Sequence, residues 1–372
     1  YANTTGNYNS AFGRNALSDN TTASSNSAFG YLALNANTTG ESNTAIGYAA
    51  LISNTTAANN TAVGKSALEA NTTGYSNAVV GRNALLQNTT GKENTVMGTY
   101  AMDANTTASN NAAFGYAALG ANTTGASNAA VGYEALLNST TGDNNTAVGM
   151  SSLVALTTGN NNTAVGVSCL DTLTTGGDNI GIGYGVGGHE VTLNTGGQNI
   201  LIGNYTDVHA ANAHNQIVMG HNVMGNANSS FCFGDGATDS AIAFGATSIS
   251  APSDQRLKEE ITTSTAGLSF VNDLRPVTFK WKKQKDIPVN IKGYKEGSET
   301  RYKTDTTEHG FIAQEVKTVI DAHSEIKDGF DMWTEDSLGG RQRVADGALV
   351  PILVKAIQEL SAKNEALLTR IE

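Results

Sequence analysis

Apolar, small and polar residues recur along the first part of the chain with a fixed spacing of 17. Gly13, Gly30, Gly47 and their successors to Gly183 mark the period. A large apolar residue precedes each glycine, as at Phe12, Ile46, Val63, Met97 and Ile182. Asn stands four positions before it, from Asn9 to Asn179. A small residue and then Leu or Met stand three and four positions after it, as in Ala16-Leu17 and Ala101-Met102. Each unit also holds a Thr pair, from Thr4-Thr5 to Thr174-Thr175. The stretch Asn-Thr-Ala-Val-Gly alternates sides when extended, so its large apolar residue points one way and its Asn and Ala the other. Asn-Thr-Thr-Gly is turn chemistry, because Gly takes a positive φ freely and Asn tolerates it. Seventeen residues are too few for a helical-hairpin repeat, which needs about 30 or more. Each unit is therefore predicted to form one coil of a β-solenoid or β-roll. At about 4.8 Å per stacked strand, the coils marked by Gly13 to Gly183 make a rod of roughly 50 Å.

Each unit offers only about two large apolar side chains, which is thin for a coil enclosing its own core. Pooling these faces from several chains around one axis would bury them, so the pattern predicts a homotrimeric rod. The repeat loosens after Gly183, with echoes at residues 199–203 and 217–220. At the far end, Val350, Leu353, Ile357, Leu360, Asn364, Leu367 and Ile371 alternate spacings of three and four. That is the seam of a coiled-coil helix, with Asn364 placed to set register. By the simplest rule this core favours parallel dimers, which conflicts with a trimer. An amphipathic helix packed on its own domain is the other reading of the same spacing.

Charge divides the chain near residue 250. Residues 1–252 hold 4 Lys/Arg and 13 Asp/Glu, and residues 253–372 hold 18 and 20. All four prolines and both tryptophans lie at or after the break. The organisation read from this is a repeat rod at 1–203, degenerate repeats or a neck at 204–252, an α+β domain at 253–345, and a terminal helix at 346–372. The fold class is mainly β. The acidic balance argues against nucleic acid and against an anionic membrane surface as partners. No apolar run approaches the roughly 20 residues that cross a bilayer. Two cysteines make neither a disulfide scaffold nor a zinc module. Cys169 occupies the repeat's Ala position and reads as a small buried hydrophobe, as does Cys232. His189, His209, His214 and His221 match no standard zinc spacing, and no metal or cofactor is expected. Adjacent threonines in a strand would face opposite sides, which argues against a flat ice-binding array. Since Tyr1 opens inside a repeat, the chain reads as a fragment.

The repeat resembles the head repeats of trimeric autotransporter adhesins and the shafts of phage tail fibres, and the resemblance covers residues 1–203. The second part carries four segments in order: Ser253-Asp254-Gln255-Arg256-Leu257-Lys258, Leu274-Arg275-Pro276-Val277-Thr278-Phe279-Lys280-Trp281, His309-Gly310-Phe311-Ile312-Ala313-Gln314-Glu315-Val316, and the tail around Val350-Pro351-Ile352-Leu353. Together they resemble the intramolecular chaperone domain of phage tail spikes and endosialidase-type fibres, also classed as the S74 self-cleaving peptidases. The resemblance implies a domain that trimerises, helps the preceding rod to fold, and then cuts itself off. It implies Ser253 as nucleophile, Lys258 as its base, and cleavage between Pro252 and Ser253. Asp254 and His309 are the candidate assisting groups.

The residues themselves give this chemistry independent but weaker support. A serine hydroxyl needs an adjacent base, and lysine serves only when neutral. Arg256 could depress its pKa. A spacing of five puts Ser253 and Lys258 on different faces of a helix, so a bend or helix start must fall between them. Without the resemblance, Pro252-Ser253-Asp254 would read as a cap of a helix running into Lys258. Two functional classes follow. One is a structural tail-fibre segment with a self-releasing assembly domain, located on a virion. The other is a cell-surface trimeric adhesin whose rod binds a receptor or glycan. An enzyme acting on external substrates has little support.

Overall fold

The computed structural model describes residues 2–236, 240–246, 255, 258–289, 291, 293–326, 332–335 and 342–371. The chain divides into two compact units, Tyr1–Ser253 and Asp254–Glu372.

The first unit is a β-solenoid of about thirteen turns. Three-residue strands β1 to β11 recur from Ser10–Phe12 through Thr44–Ile46 and Thr95–Met97 to Ile180–Ile182. Each pairs in parallel with the next one residue period on, as Thr44 pairs with Thr61 and Ile46 with Val63. The stack continues through β12 (Ile200–Asn204), β13 (Gln216–His221) and β14 (Ser230–Asp235) in the same sheet. Here the period becomes uneven: Ile180 pairs with Ile200, Ile200 with Ile217, and Gln216 with Ser230. A final strand, β15 (Ser240–Ala243), runs antiparallel to β14.

One coil shows why this sequence folds so. Asn43 and Ala45 are buried while Ile46 points outward, the alternation that the strand period predicts. After Gly47 the chain turns, and Ala50 and Leu51 enter the interior, fully buried. Asn54 follows, also fully buried, and then the pair Thr55 and Thr56. Thr55 and its counterparts tie coil to coil, each hydroxyl donating to the threonine carbonyl one coil on, as from Thr38 to Thr55 at 3.1 Å. The second threonine of each pair is exposed. These threonines lie outside the strands, so the facing rule for a strand does not govern them.

The interior closes within one chain, which corrects the premise that each coil lacks material for its own core. Asparagine supplies part of that interior, as Asn43 and Asn54 do beside Ala45, Ala50 and Leu51. The Asn54 amide donates to the Asn37 side-chain oxygen at 3.0 Å and to the Ala57 carbonyl at 3.0 Å. The Asn60 backbone N–H donates to the Asn43 side chain at 2.9 Å, and the Asn60 amide to the Gly74 carbonyl at 2.9 Å. Buried polar groups that satisfy one another cost little, so two asparagine ladders fill space that apolar residues would otherwise occupy. The first ladder ends where Ser139 and then Leu156 and Leu173 replace the asparagines. At that end the Asn122 side-chain oxygen and the Ser139 hydroxyl are buried without hydrogen-bond partners among the described residues.

The backbone explains the choice of leucine. Leu17, Leu51, Leu85, Met102 and their counterparts sit at φ between 50° and 54°, the left-handed region. β-Branched residues are outliers there, and no Val, Ile or Thr holds a positive φ among the described residues. The repeating glycine is required for space as well. At Gly132 (φ +141°) a Cβ would lie 2.5 Å from the Gly149 carbonyl oxygen of the next coil.

The second unit is α+β. Helices α1 (Leu268–Asp273), α2 (Ala313–Ala322) and α3 (Val350–Ile371) surround a core of Phe270, Val316, Ile320, Met332, Leu349 and Ile352. Two antiparallel pairs accompany them: β16 (Val277–Phe279) with β17 (Glu308–Gly310), and β18 (Trp333–Glu335) with β19 (Gln342–Val344). No helix is long and apolar enough to cross a membrane among the described residues.

Candidate functional site

Pro252, Ser253, Asp254 and Arg256 lie outside the described residues. Lys258 is exposed and its backbone N–H donates to the Gln255 carbonyl at 3.1 Å. It stands outside any helix, and the first helix begins only at Leu268. The helix-cap reading of this segment therefore does not extend to Lys258. His309 is exposed on β17, paired with Thr278 of β16.

The structure joins segments that lie far apart in sequence. β16 and β17 bring Val277 opposite Gly310 and Phe279 opposite Glu308. Arg275, just before β16, forms a bidentate ion pair with Glu315 in the first turn of α2, with Nε at 3.0 Å from Oε2. The guanidinium holds the Glu315 carboxyl below the usual carboxylate range. A carboxylate in a first helical turn also suits the helix dipole. Glu315 thus fixes α2 against the strand pair. Short-range pattern could not have shown this, since the partners are 40 residues apart.

The long helix α3 is tied to α1 in a similar way. The Glu359 carboxylate accepts the backbone N–H of Leu268 at 2.9 Å, capping the start of α1. Gly267 leaves it room, because a Cβ there would lie 2.7 Å from the Glu359 carboxylate. His323 closes the far end of the core. Its Nδ1 lies 2.8 Å from Glu325 and its Nε2 2.9 Å from Asp273, with its ring edge-on to Phe270. The hydrogen bond with Glu325, and then that with Asp273, raise the His323 pKa.

The residues of the expected coiled-coil seam fall on the side of α3 that this unit does not cover. Ile352 and Ala356 are buried against the core. Val350, Leu353, Ile357, Leu360, Leu367 and Ile371 are exposed, Ile357 by 66% and Ile371 by 82%. Asn364 is exposed with them. The helix does pack on its own domain, but through a face other than the seam.

A cavity of about 740 Å³ opens beside the strand pair, lined by Trp281, Tyr302, Ile287, Ile291, Lys280 and Arg343 among others. Lys303 lies over the Trp281 ring at 4.5 Å from its centroid. Neither Lys258 nor His309 lines it.

In the solenoid, His209 Nδ1 lies 2.7 Å from the Gln216 side-chain nitrogen, His214 Nδ1 accepts from Gly197 N–H at 3.1 Å, and His221 pairs with Asp235 at 3.1 Å. The His189 ring packs on Tyr205 with centroids 4.4 Å apart. No group of three His, Cys, Asp or Glu gathers to hold a metal among the described residues. Cys169 and Cys232 are both fully buried, and burial pushes the Cys169 thiol up to about 12.

Residues 253–325 match the family model of Peptidase S74, the chaperone of endosialidase. The match starts at Ser253, covers α1, the β16–β17 pair and α2, and stops before α3. No curated protein and no solved structure matches the chain.

Proposed function

We propose that residues 253–372 act as an intramolecular chaperone that gathers three copies of the chain, guides the solenoid before it, and then releases itself by one cut between Pro252 and Ser253. The observation that carries this reading is the family match beginning at Ser253, with Lys258 five residues on. Ser253 Oγ attacks the Pro252 carbonyl carbon, and Lys258, in its neutral form, takes the hydroxyl proton. The Pro252–Ser253 C–N bond breaks, and the leaving amine takes a proton. Water then hydrolyses the ester between Ser253 and the Pro252 acyl group. Asp254 and His309 are candidate assisting groups. The open seam of α3 supports assembly, since its exposed apolar residues keep the heptad spacing by which helices of further copies would cover them. The released product would be a trimeric β-rod of the tail-fibre kind, on a virion or another surface.

The test is intact-mass analysis of the purified full-length chain. Wild type is expected to give two fragments divided at residue 252/253, whereas Ser253→Ala and Lys258→Ala give the uncut chain. Cleavage of Ser253→Ala at the wild-type rate would remove Ser253 from the mechanism. We do not extend the proposal to a glycan or receptor. Four exposed tyrosines of the rod are paired, Tyr31 on Tyr48 and Tyr116 on Tyr133, each with centroids 5.3 Å apart, so each of these rings has one face taken up by its neighbour.

A further inference from the structure

The outward side of the solenoid sheet carries one unbroken column of large apolar residues, in register from Phe12 through Ile46, Met97 and Val131 to Ile182 and Phe233. Their strand neighbours on the inward side, such as Ala45 and Ala130, are fully buried, whereas Met97 is 52% and Val131 is 41% exposed. The column is not core material, because the coils close without it. At the exposures given, it presents on the order of 1,000 Å² of apolar surface per chain, beyond the largest patch usual on a monomer and comparable to one side of a standard protein interface.

What covers such a column must repeat at its spacing. A ligand or unrelated protein has no reason to present an apolar group at every coil along the whole stack. Another copy of this solenoid does so, provided that it runs parallel. The flanking chemistry fits the same occupant. Arg14, Lys65 and Arg82, three of the four cations in residues 1–252, are already held over Tyr31, Tyr48 and Tyr100 at 5.8, 5.7 and 5.5 Å, in a segment whose 13 acidic residues outnumber its cations. That leaves no cationic track for an acidic polymer.

We infer that the Phe12–Phe233 column is the face by which copies of this chain pack together, column to column around a common axis, with identical residues meeting at each level. The released solenoid therefore stays assembled without the second unit. The inference deepens the proposed assembly and rests on it for the parallel orientation, the register and the number of copies.

The test is disulfide trapping in the full-length chain. Val131→Cys is expected to give a covalent dimer on mild oxidation. Thr124→Cys, exposed on another side of the same region, should give none. In a mixture of Met97→Cys and Val131→Cys chains refolded together, disulfide-linked peptides should join 97 to 97 and 131 to 131, not 97 to 131. The native Cys169 and Cys232 are fully buried and common to all variants. Repeating Val131→Cys in the Ser253→Ala background separates the two readings, since trapping without cleavage leaves the packing face intact. A trapped dimer at 124 but not at 131, frequent 97-to-131 links, or a released solenoid with the mass of one chain would overturn the inference.

Discussion

The same conservative substitution at two buried leucines should have very different costs. Leu85 and Leu156 both point into the solenoid interior and are both fully buried. Leu85 sits at φ 50°, whereas Leu156 is not among the positive-φ residues. Leucine to isoleucine conserves volume and ordinarily costs less than about 1.5 kcal/mol in a core. At Leu156 that is the whole expectation. At Leu85 the second branch on Cβ meets a left-handed backbone where β-branched residues are outliers, a strain on the order of 1–3 kcal/mol that leucine's unbranched Cβ lessens. Leu85→Met keeps an unbranched Cβ and should behave like Leu156→Ile. The predicted gap between the two isoleucine variants is about 2 kcal/mol. For a unit of this size that corresponds to a difference of about 4–8 °C in melting temperature. Thermal unfolding of the solenoid at matched scan rates, followed by far-ultraviolet circular dichroism, measures it. Equal losses for Leu85→Ile and Leu156→Ile would refute the claim that backbone handedness, rather than packing, restricts this position to Leu and Met.

Two further predictions concern the second unit. Glu359→Ala removes the acceptor for the Leu268 N–H and should lower stability by about 1 kcal/mol, as loss of a helix cap does, while Glu359→Gln keeps most of it; thermal unfolding reads the difference. His323 carries a raised pKa, so its contribution is fully present below the unfolded value near 6.5 and fades as pH rises through the folded one. The melting-temperature gap between wild type and His323→Gln should therefore be largest near about pH 5.5 and shrink toward about pH 9; a gap that widens with pH would contradict the assignment.

The period, the strand alternation and the turn residues were legible in the sequence because each rests on a contact within one coil. The closure of the interior was not. Asn54 reads as turn chemistry within its own repeat, and its partner Asn37 appears only when coils are stacked. The preference for Leu over Ile was visible as a pattern, but its cause is a φ value that no pattern of hydrophobicity encodes. In the second unit the spacing of the α3 seam was legible. The face that packs inward, through Ile352 and Ala356, was not, since both faces are apolar. The ties that hold this unit together, Arg275 to Glu315, Leu268 to Glu359 and Asp273 to His323, span 40, 91 and 50 residues and have no local signature.

A stack of equivalent coils has little information about register. If one copy slips by a single coil against its neighbours, every apolar residue of the column still faces another, except at the ends. The loss is the burial of part of one side chain per chain, about 1–2 kcal/mol at most, or roughly a tenfold preference for the aligned state. Such a preference is too small to select one alignment among many during assembly. Selection therefore needs a segment that does not repeat. The seam of α3 has that property, because Asn364 is the one polar position among its apolar residues and a slipped partner would set it against leucine or isoleucine. Once the columns are aligned, the many coils in contact hold the register together, and a slip would have to break them all at once. On the proposed reading, an aligning domain is then needed only during assembly, which is the physical reason that a detachable one would suffice.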